Sequence, residues 1–185
     1  MPRLNVPLWC QPSPNYCVPT CIKMVIEYLR EKYGENNVPR LSIKTIARAI
    51  DTKEEGTAPK DIEKINKFFK AKLSVQFKTQ FMAHFPDIRK ELEEERPVIV
   101  WLNCVTPPDV VWHAVVVCDF DPETDHVSIN DPWDGSEKSE EVGTFIKKWG
   151  TEARLVKVLI SKEQQRYLDD DWSTEHIVNG EPTDE

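Results

Sequence analysis

The 185-residue sequence lacks any run of about 20 apolar residues, the length that spans the hydrocarbon core of a bilayer. Its first residues also lack the apolar segment of a secretory signal peptide, and no internal repeat is evident. We therefore expect a protein that does not insert into a membrane and that carries no signal.

Cysteine is sparse, and its number is odd. Such usage does not fit the disulfide framework of a small secreted protein, so we expect a reducing, cytoplasmic compartment. A mature secreted fragment remains the alternative. The five cysteines are Cys10, Cys17, Cys21, Cys104 and Cys118.

Positive charge is in deficit, with 24 Lys and Arg against 32 Asp and Glu, a net charge of −8. An acidic surface repels phosphate backbones and anionic lipid, which disfavours nucleic acid and membranes as partners. The 39% hydrophobic content and the chain length suffice for one soluble domain with a core. We predict one domain over residues 1–168 and an acidic, flexible tail over 169–185. The oligomeric state is left open.

Helical periodicity comes first along the chain, and strand patterns follow. The prediction is α+β with an antiparallel sheet, because the elements do not alternate as in βαβ units. In the first helix, Lys23, Glu27 and Arg30 are predicted to lie opposite the apolar face. Helices are predicted over 18–33, 43–50, a segment through Ile62 to Phe69, 86–95 and 141–149, and strands over 98–102, 114–118, 126–129 and 155–160.

Cys17 follows a loop rich in Pro, Ser and Asn and begins the first predicted helix. A thiol at a helix N-terminus ionises more easily, because the helix dipole favours negative charge there, and the thiolate is the reactive form. A free cysteine is also commonly a small buried hydrophobe. That interpretation suits Cys21 better, since it lies on the apolar face.

Three further residues complete a candidate catalytic set. His113 opens an apolar run where a base could be held, although it could also be a core histidine. Asp131, in Asn130-Asp131-Pro132, could orient the imidazole or simply belong to a turn. Gln11 could donate to an oxyanion beside the Cys17 backbone N–H, or be an ordinary loop residue.

The chain resembles the C39-type peptidases of the papain-like superfamily, in the stand-alone C39-like branch. The resemblance rests on Gln11 six residues before Cys17, on Trp112-His113-Ala114-Val115-Val116-Val117, on Asn130-Asp131-Pro132, on Glu55-Gly56-Thr57, and on Pro97-Val98-Ile99-Val100. It covers roughly residues 4–160, and it implies a papain-like fold with the cysteine at a helix N-terminus packed on an antiparallel sheet.

The resemblance implies a thiol hydrolase that cleaves a peptide or related amide bond through an acyl-enzyme. Cys17 would be the nucleophile, His113 the base and later the acid, Asp131 the orienting group and Gln11 the oxyanion donor. Val18 replaces the glycine that often follows the cysteine, and Tyr16 replaces a common aspartate, which puts the substrate and the rate in question.

Three alternatives stay open beside a hydrolase. The first is an acyl transferase of the same mechanism, and the second is a papain-like module that binds a peptide or protein without cleaving it. The third is a metal site built from Cys10, Cys17, Cys21 and a histidine, although C-x6-C-x3-C lacks the paired C-x2-C of common zinc sites. The leading prediction therefore needs no cofactor and no metal.

Overall fold

The computed structural model describes residues 3–69, 75–106, 109–151 and 153–160. Within these residues four α-helices and a 3-10 helix accompany six strands, which confirms the α+β prediction. The helices are α1 (Cys17–Tyr33), α2 (Ile43–Ala49), the 3-10 helix (Pro59–Phe69), α3 (Phe85–Glu93) and α4 (Val142–Trp149). The strands are β1 (Val75–Gln80), β2 (Val98–Thr106), β3 (Asp109–Asp121), β4 (His126–Asp131), β5 (Ser136–Glu141) and β6 (Leu155–Ile160).

The six strands form one sheet in the order β1-β6-β2-β3-β4-β5, and every pairing is antiparallel. The strand patterns at 114–118 and 126–129, with the polar segment Asp121 to Asp125 between them, predict a hairpin, and β3 and β4 do pair as one. Residues 114–118 of β3 are buried without interruption, as expected for a central strand covered on both faces. Helices α1 and α3 both pack against this strand.

Helix α1 begins at Cys17 and ends before Gly34, close to the predicted bounds. The prediction that Lys23 and Arg30 face away from the core is wrong, because both side chains are buried. Lys23 pairs with Glu27 and lies 5.0 Å from the centre of the Trp9 ring. Arg30 donates to the Val38 carbonyl at 2.9 Å. The helix is covered nearly all round, and these charged groups are accommodated by partners rather than by solvent.

Two strands of the sheet were not predicted. β5 is a polar edge strand, in which Ser, Glu and Lys alternate without an apolar face to mark it. β1 alternates buried Val75 and Phe77 with polar residues, a period-2 signal that was present in the sequence. The third predicted helix is a 3-10 helix, which packs against β1 through Asn66 contacts to the Phe77 backbone at 2.8 and 3.0 Å.

β2 and β3 are longer than predicted, because residues 102–106 pair with residues 109–113 beyond the buried section. His113 therefore lies within β3, opposite Leu102, and the prediction that it opens the strand is wrong. Among the described residues, no helix is long and apolar enough to cross a membrane. The predicted tail over 169–185 and the domain end at 168 lie outside the described residues.

Candidate active site

Cys17 is the first residue of α1, and its side chain is buried yet lines a cleft. The residue before it, Tyr16, makes no side-chain capping hydrogen bond. Because the N–H groups of the first helical turn have no partner within the helix, they remain oriented toward the cysteine end. The start of α1 thus offers a thiol together with backbone donors that could stabilise negative charge.

His113 and Asp131 meet across the β3–β4 pair. His113 Nε2 lies 2.6 Å from Asp131 Oδ1. An ionised carboxylate can only accept a hydrogen bond, so the ring donates its Nε2–H. The other ring nitrogen, Nδ1, is therefore available to interact with Cys17. The Trp133 backbone N–H donates to the same Oδ1 at 2.8 Å, which helps to fix the carboxylate.

Lys138 binds the other oxygen of this carboxylate. Its Nζ lies 2.5 Å from Asp131 Oδ2 and 3.3 Å from Asp134 Oδ2. In the β4–β5 register Asp131 is opposite Ser136, so Lys138 is its diagonal neighbour on the same face, within reach of a long side chain. Both oxygens of Asp131 are therefore engaged.

These contacts set the charges of the site. Burial alone would lower the pKa of His113, but hydrogen bonding to Asp131 and to the Cys17 side chain outweighs burial and raises the pKa to about 9. Burial would raise the pKa of Asp131, whereas hydrogen bonds from His113, Lys138 and the Trp133 backbone hold it well below its usual range. At neutral pH the pair is an imidazolium and a carboxylate.

Trp133 packs edge-on against the His113 ring, with the ring centres 6.3 Å apart and an interplanar angle of 88°. The Trp133 side chain is 59% exposed, so one side of the indole contacts the imidazole and the rest faces solvent.

Gln11 lies near the site, but its amide has partners of its own. Its backbone N–H donates to the Pro132 carbonyl at 2.7 Å, which places it beside the residue after Asp131. Its side-chain Nε2 donates to the carbonyls of Ser13 and Pro14 at 2.9 and 3.1 Å. The amide thus shapes the loop before Cys17, while its buried Oε1 has no hydrogen-bond partner among the described residues.

A cleft of about 740 Å³ opens beside Cys17. Trp101 and Trp112 line one part of it, and Arg154 lies 5.0 Å from the centre of the Trp112 ring. A loop over residues 51–59 lines another part, and the Asn15 side chain donates to the Lys53 carbonyl of that loop at 2.6 Å. Val18 also lines the cleft, but its side chain is almost fully buried. Most of the volume that valine adds relative to glycine therefore packs inward. The volume of the cleft falls within the roughly 300–1,000 Å³ typical of ligand pockets.

The alternative metal site is not assembled. Cys10 is exposed, whereas Cys21 is fully buried with its Sγ 3.3 Å from the Ala114 carbonyl oxygen. Within the described ranges, no group of three or more His, Cys, Asp or Glu side chains could hold a metal ion.

Comparison with known proteins agrees with this architecture. The sequence model described as the Peptidase_C39 like family matches residues 3–155. The chain belongs to the C39-like peptidase family. No functionally curated protein matches this C39-like chain.

Three solved structures share the fold of this C39-like domain. The peptidase domain of Streptococcus ComA, a bifunctional ABC transporter involved in quorum sensing, is 18% identical, with a TM-score of 0.58, over 85% of this chain and 98% of that domain. A C39-like peptidase from Bacillus anthracis is 14% identical, with a TM-score of 0.64, over 84% of this chain and 94% of its own. Xylellain, a cysteine protease from Xylella fastidiosa, is 12% identical, with a TM-score of 0.60, over 87% and 84%.

The family and the fold point to a C39-like cysteine peptidase, and such a family implies a peptide or protein substrate. The papain-like fold class is thereby confirmed. Sequence reasoning missed Lys138, Trp133 and the aromatic lining of the cleft. Only Trp133 had a local signal, since it lies two residues after Asp131.

Proposed function

We propose that the protein is a thiol hydrolase that cleaves a peptide or related amide bond. The observation that best supports this proposal is the arrangement of three side chains. Cys17 begins α1 beside the His113 ring, and that ring is hydrogen-bonded to the Asp131 carboxylate at 2.6 Å. A nucleophile, a base and a group that orients the base are the parts that covalent hydrolysis requires.

In the acylation step, the Cys17 thiolate attacks the carbonyl carbon of a peptide lying in the cleft. The new S–C bond pushes the carbonyl electrons onto oxygen, and the backbone N–H of Cys17 at the start of α1 stabilises that oxyanion. His113 then gives its proton to the leaving nitrogen, and the C–N bond breaks. This step uses the protonated ring that Asp131 stabilises.

In the deacylation step, the neutral His113 takes a proton from a water molecule as the water oxygen attacks the thioester carbon. Collapse of the second tetrahedral intermediate releases the acid and returns a thiolate beside an imidazolium. Asp131 stays ionised throughout, because its pKa lies well below the usual range, and it keeps the ring oriented.

Gln11 is proposed as the second oxyanion donor. Each amide hydrogen of Gln11 already has a carbonyl acceptor, the longer contact being that to Pro14 at 3.1 Å. The donor role therefore requires that a bound substrate replace this weaker contact. Hydrogen bonds at catalytic sites commonly tighten or rearrange only when the substrate is present.

Iodoacetamide labelling with mass mapping tests the nucleophile. Cys17 should be alkylated at pH 6 at least ~10-fold faster than Cys10, an exposed thiol seven residues earlier in the chain that serves as the reference. A His113→Gln variant should lose this advantage. Equal labelling of Cys17 and Cys10 in the wild type would refute the assignment.

A peptide-library screen, with and without added amines, tests the reaction. Cleavage products from the wild type and none from Cys17→Ala support a hydrolase. Products joined to the amine would instead identify an acyl transferase. Peptide retention without any product, together with slow labelling of Cys17, would identify a binding module and overturn the proposal.

A further inference from the structure

Lys138 lies on β5. Among the described contacts, Asp131 is its one partner from the four residues proposed for catalysis. Its Nζ is 2.5 Å from Asp131 Oδ2, the oxygen that His113 does not use. Asp134 holds the ammonium from a second side at 3.3 Å, and Ser136 in turn donates to Asp134 from its N–H and its hydroxyl at 3.1 and 2.6 Å.

This arrangement differs from an ordinary surface ion pair. Surface pairs contribute little, because solvent screens them and both side chains are mobile. Here the carboxylate is only 10% exposed, and its Oδ1 is fixed by His113 Nε2 and the Trp133 backbone N–H. The lysine is 39% exposed, so its charge acts from the solvent side on a group that is held rigidly.

We propose that Lys138 is a positioning residue whose ammonium group partly neutralises the Asp131 carboxylate. The electrostatic attraction between that carboxylate and His113 is weaker as a result. The inference rests on the proposed function, in which His113 must both release a proton and take one back. Without Lys138, the Asp131 carboxylate would bind the imidazolium more strongly, and the step in which the ring returns to its neutral form would be slower. The Lys138 ammonium weakens that attraction while it keeps Asp131 in place.

The charged and titratable groups around His113 come from each neighbouring element. Cys17 faces it from α1, Asp131 from β4, and Lys138 acts through Asp131 from β5. Asp134 pairs with Lys138. Glu140 of β5 pairs with Lys148 of α4 at 2.6 Å. Cys104 of β2 interacts electrostatically with both of these groups and with Asp131 and Lys138.

The Glu140–Lys148 pair provides a matched control. Lys148 is 42% exposed and lies 2.6 Å from a carboxylate that is 16% exposed, nearly the geometry of Lys138 and Asp131. The pKa of His113, however, responds to Asp131 and Cys17 and not to the carboxylate of Glu140. Loss of either lysine removes the cation beside a mostly buried carboxylate, and only loss of Lys138 should change the imidazole.

The test is an NMR titration of the assigned His113 ring in a Cys17→Ala background, which requires no turnover. With Lys138→Met, the pKa of His113 should rise by about 0.5–1 unit relative to the parent. Lys148→Met should leave it unchanged, and Lys138→Arg should restore the parent value. If Lys138→Met does not fold, Lys138→Gln is the same test, because it also removes the charge.

In the active protein, the alkaline limb of kcat/KM should move upward with Lys138→Met by the same amount. An unchanged or lowered pKa of His113 would overturn the proposal, as would an equal shift in Lys148→Met. A lowered value would show that Asp131 leaves the ring when the lysine is absent. A raised NMR value in a protein that cleaves nothing would support the role of Lys138 while the proposed hydrolase fails.

Discussion

The His113–Asp131 pair should make the stability of the protein depend on alkaline pH. In the folded protein the pKa of His113 is raised from 6.5 to about 9. A group whose folded pKa is raised stabilises the fold fully below its unfolded pKa, and that stabilisation is lost as pH rises through the folded pKa. The loss should therefore fall between about pH 6.5 and pH 9.

The size of the pKa shift of His113 sets how much unfolding free energy is lost at high pH. Each pKa unit corresponds to about 1.4 kcal/mol, so the shift amounts to roughly 3 kcal/mol of unfolding free energy. The two side chains are 13% and 10% exposed, so solvent screening removes little of it. Such a loss is a large fraction of the stability of a typical domain.

Other groups change stability in the same direction at high pH. Burial raises the pKa values of the thiols of Cys21 and Cys118 and of the Tyr28 phenol. These groups ionise more readily in the unfolded chain, so they too destabilise the fold as pH rises. The wild type must therefore be compared with His113→Gln, because the buried thiols and the phenol are common to both proteins.

The assay is urea denaturation from pH 6 to pH 10 under reducing conditions, followed by tryptophan fluorescence. The difference in unfolding free energy between wild type and His113→Gln should shrink by about 3 kcal/mol across this range. His126→Gln is the matched control, since its ring contacts the Thr124 carbonyl at 2.6 Å rather than a buried carboxylate. A wild-type advantage that stays constant or grows with pH would refute the reasoning.

Cys21→Asp should unfold the protein or lower its stability by several kcal/mol, because this side chain is fully buried. Cys17→Ala should melt normally, and a normal melting curve for Cys21→Asp would contradict the first expectation. Gln11→Ala should reduce kcat by roughly 10²–10³-fold with little change in KM, since an oxyanion donor acts mainly in the transition state. If kcat is unchanged in steady-state assays, Gln11 serves only the loop carbonyls of Ser13 and Pro14.

Much of the fold could be predicted from local patterns. The periodicity of residues 18–33 predicted α1, and the Ser42 N-cap, whose hydroxyl accepts from the Thr45 N–H at 3.1 Å, marked α2. The β-branched run through 114–118 and its polar turn predicted the central hairpin. These signals are local, because a helix or a hairpin is specified by residues that are neighbours in the chain.

The candidate site has no periodic pattern to mark it, so its residues can be predicted only from residue type, order and resemblance. Cys17, His113 and Asp131 were chosen by residue type, order and resemblance, and the structure brings their side chains together. Neither residue type nor order in the sequence indicates that Lys138 belongs to the site. Its contact with Asp131 depends on the β4–β5 register, and β5 itself has the polar composition of a loop.

Local patterns of residues are enough to locate the helices and central strands and to name the chemical groups that the protein can use. Three-dimensional packing buries Lys23 and Arg30, places His113 within a long strand and directs the Gln11 amide to loop carbonyls. Lys23 and Arg30 are buried by contacts with residues outside α1, including Trp9 and Val38. By contrast, β3 is extended by pairing with the adjacent strand β2, and the Gln11 amide reaches carbonyls only two and three residues away. Periodicity reports which face of an element is apolar, but the surfaces that cover that element are set by the packing of the whole domain.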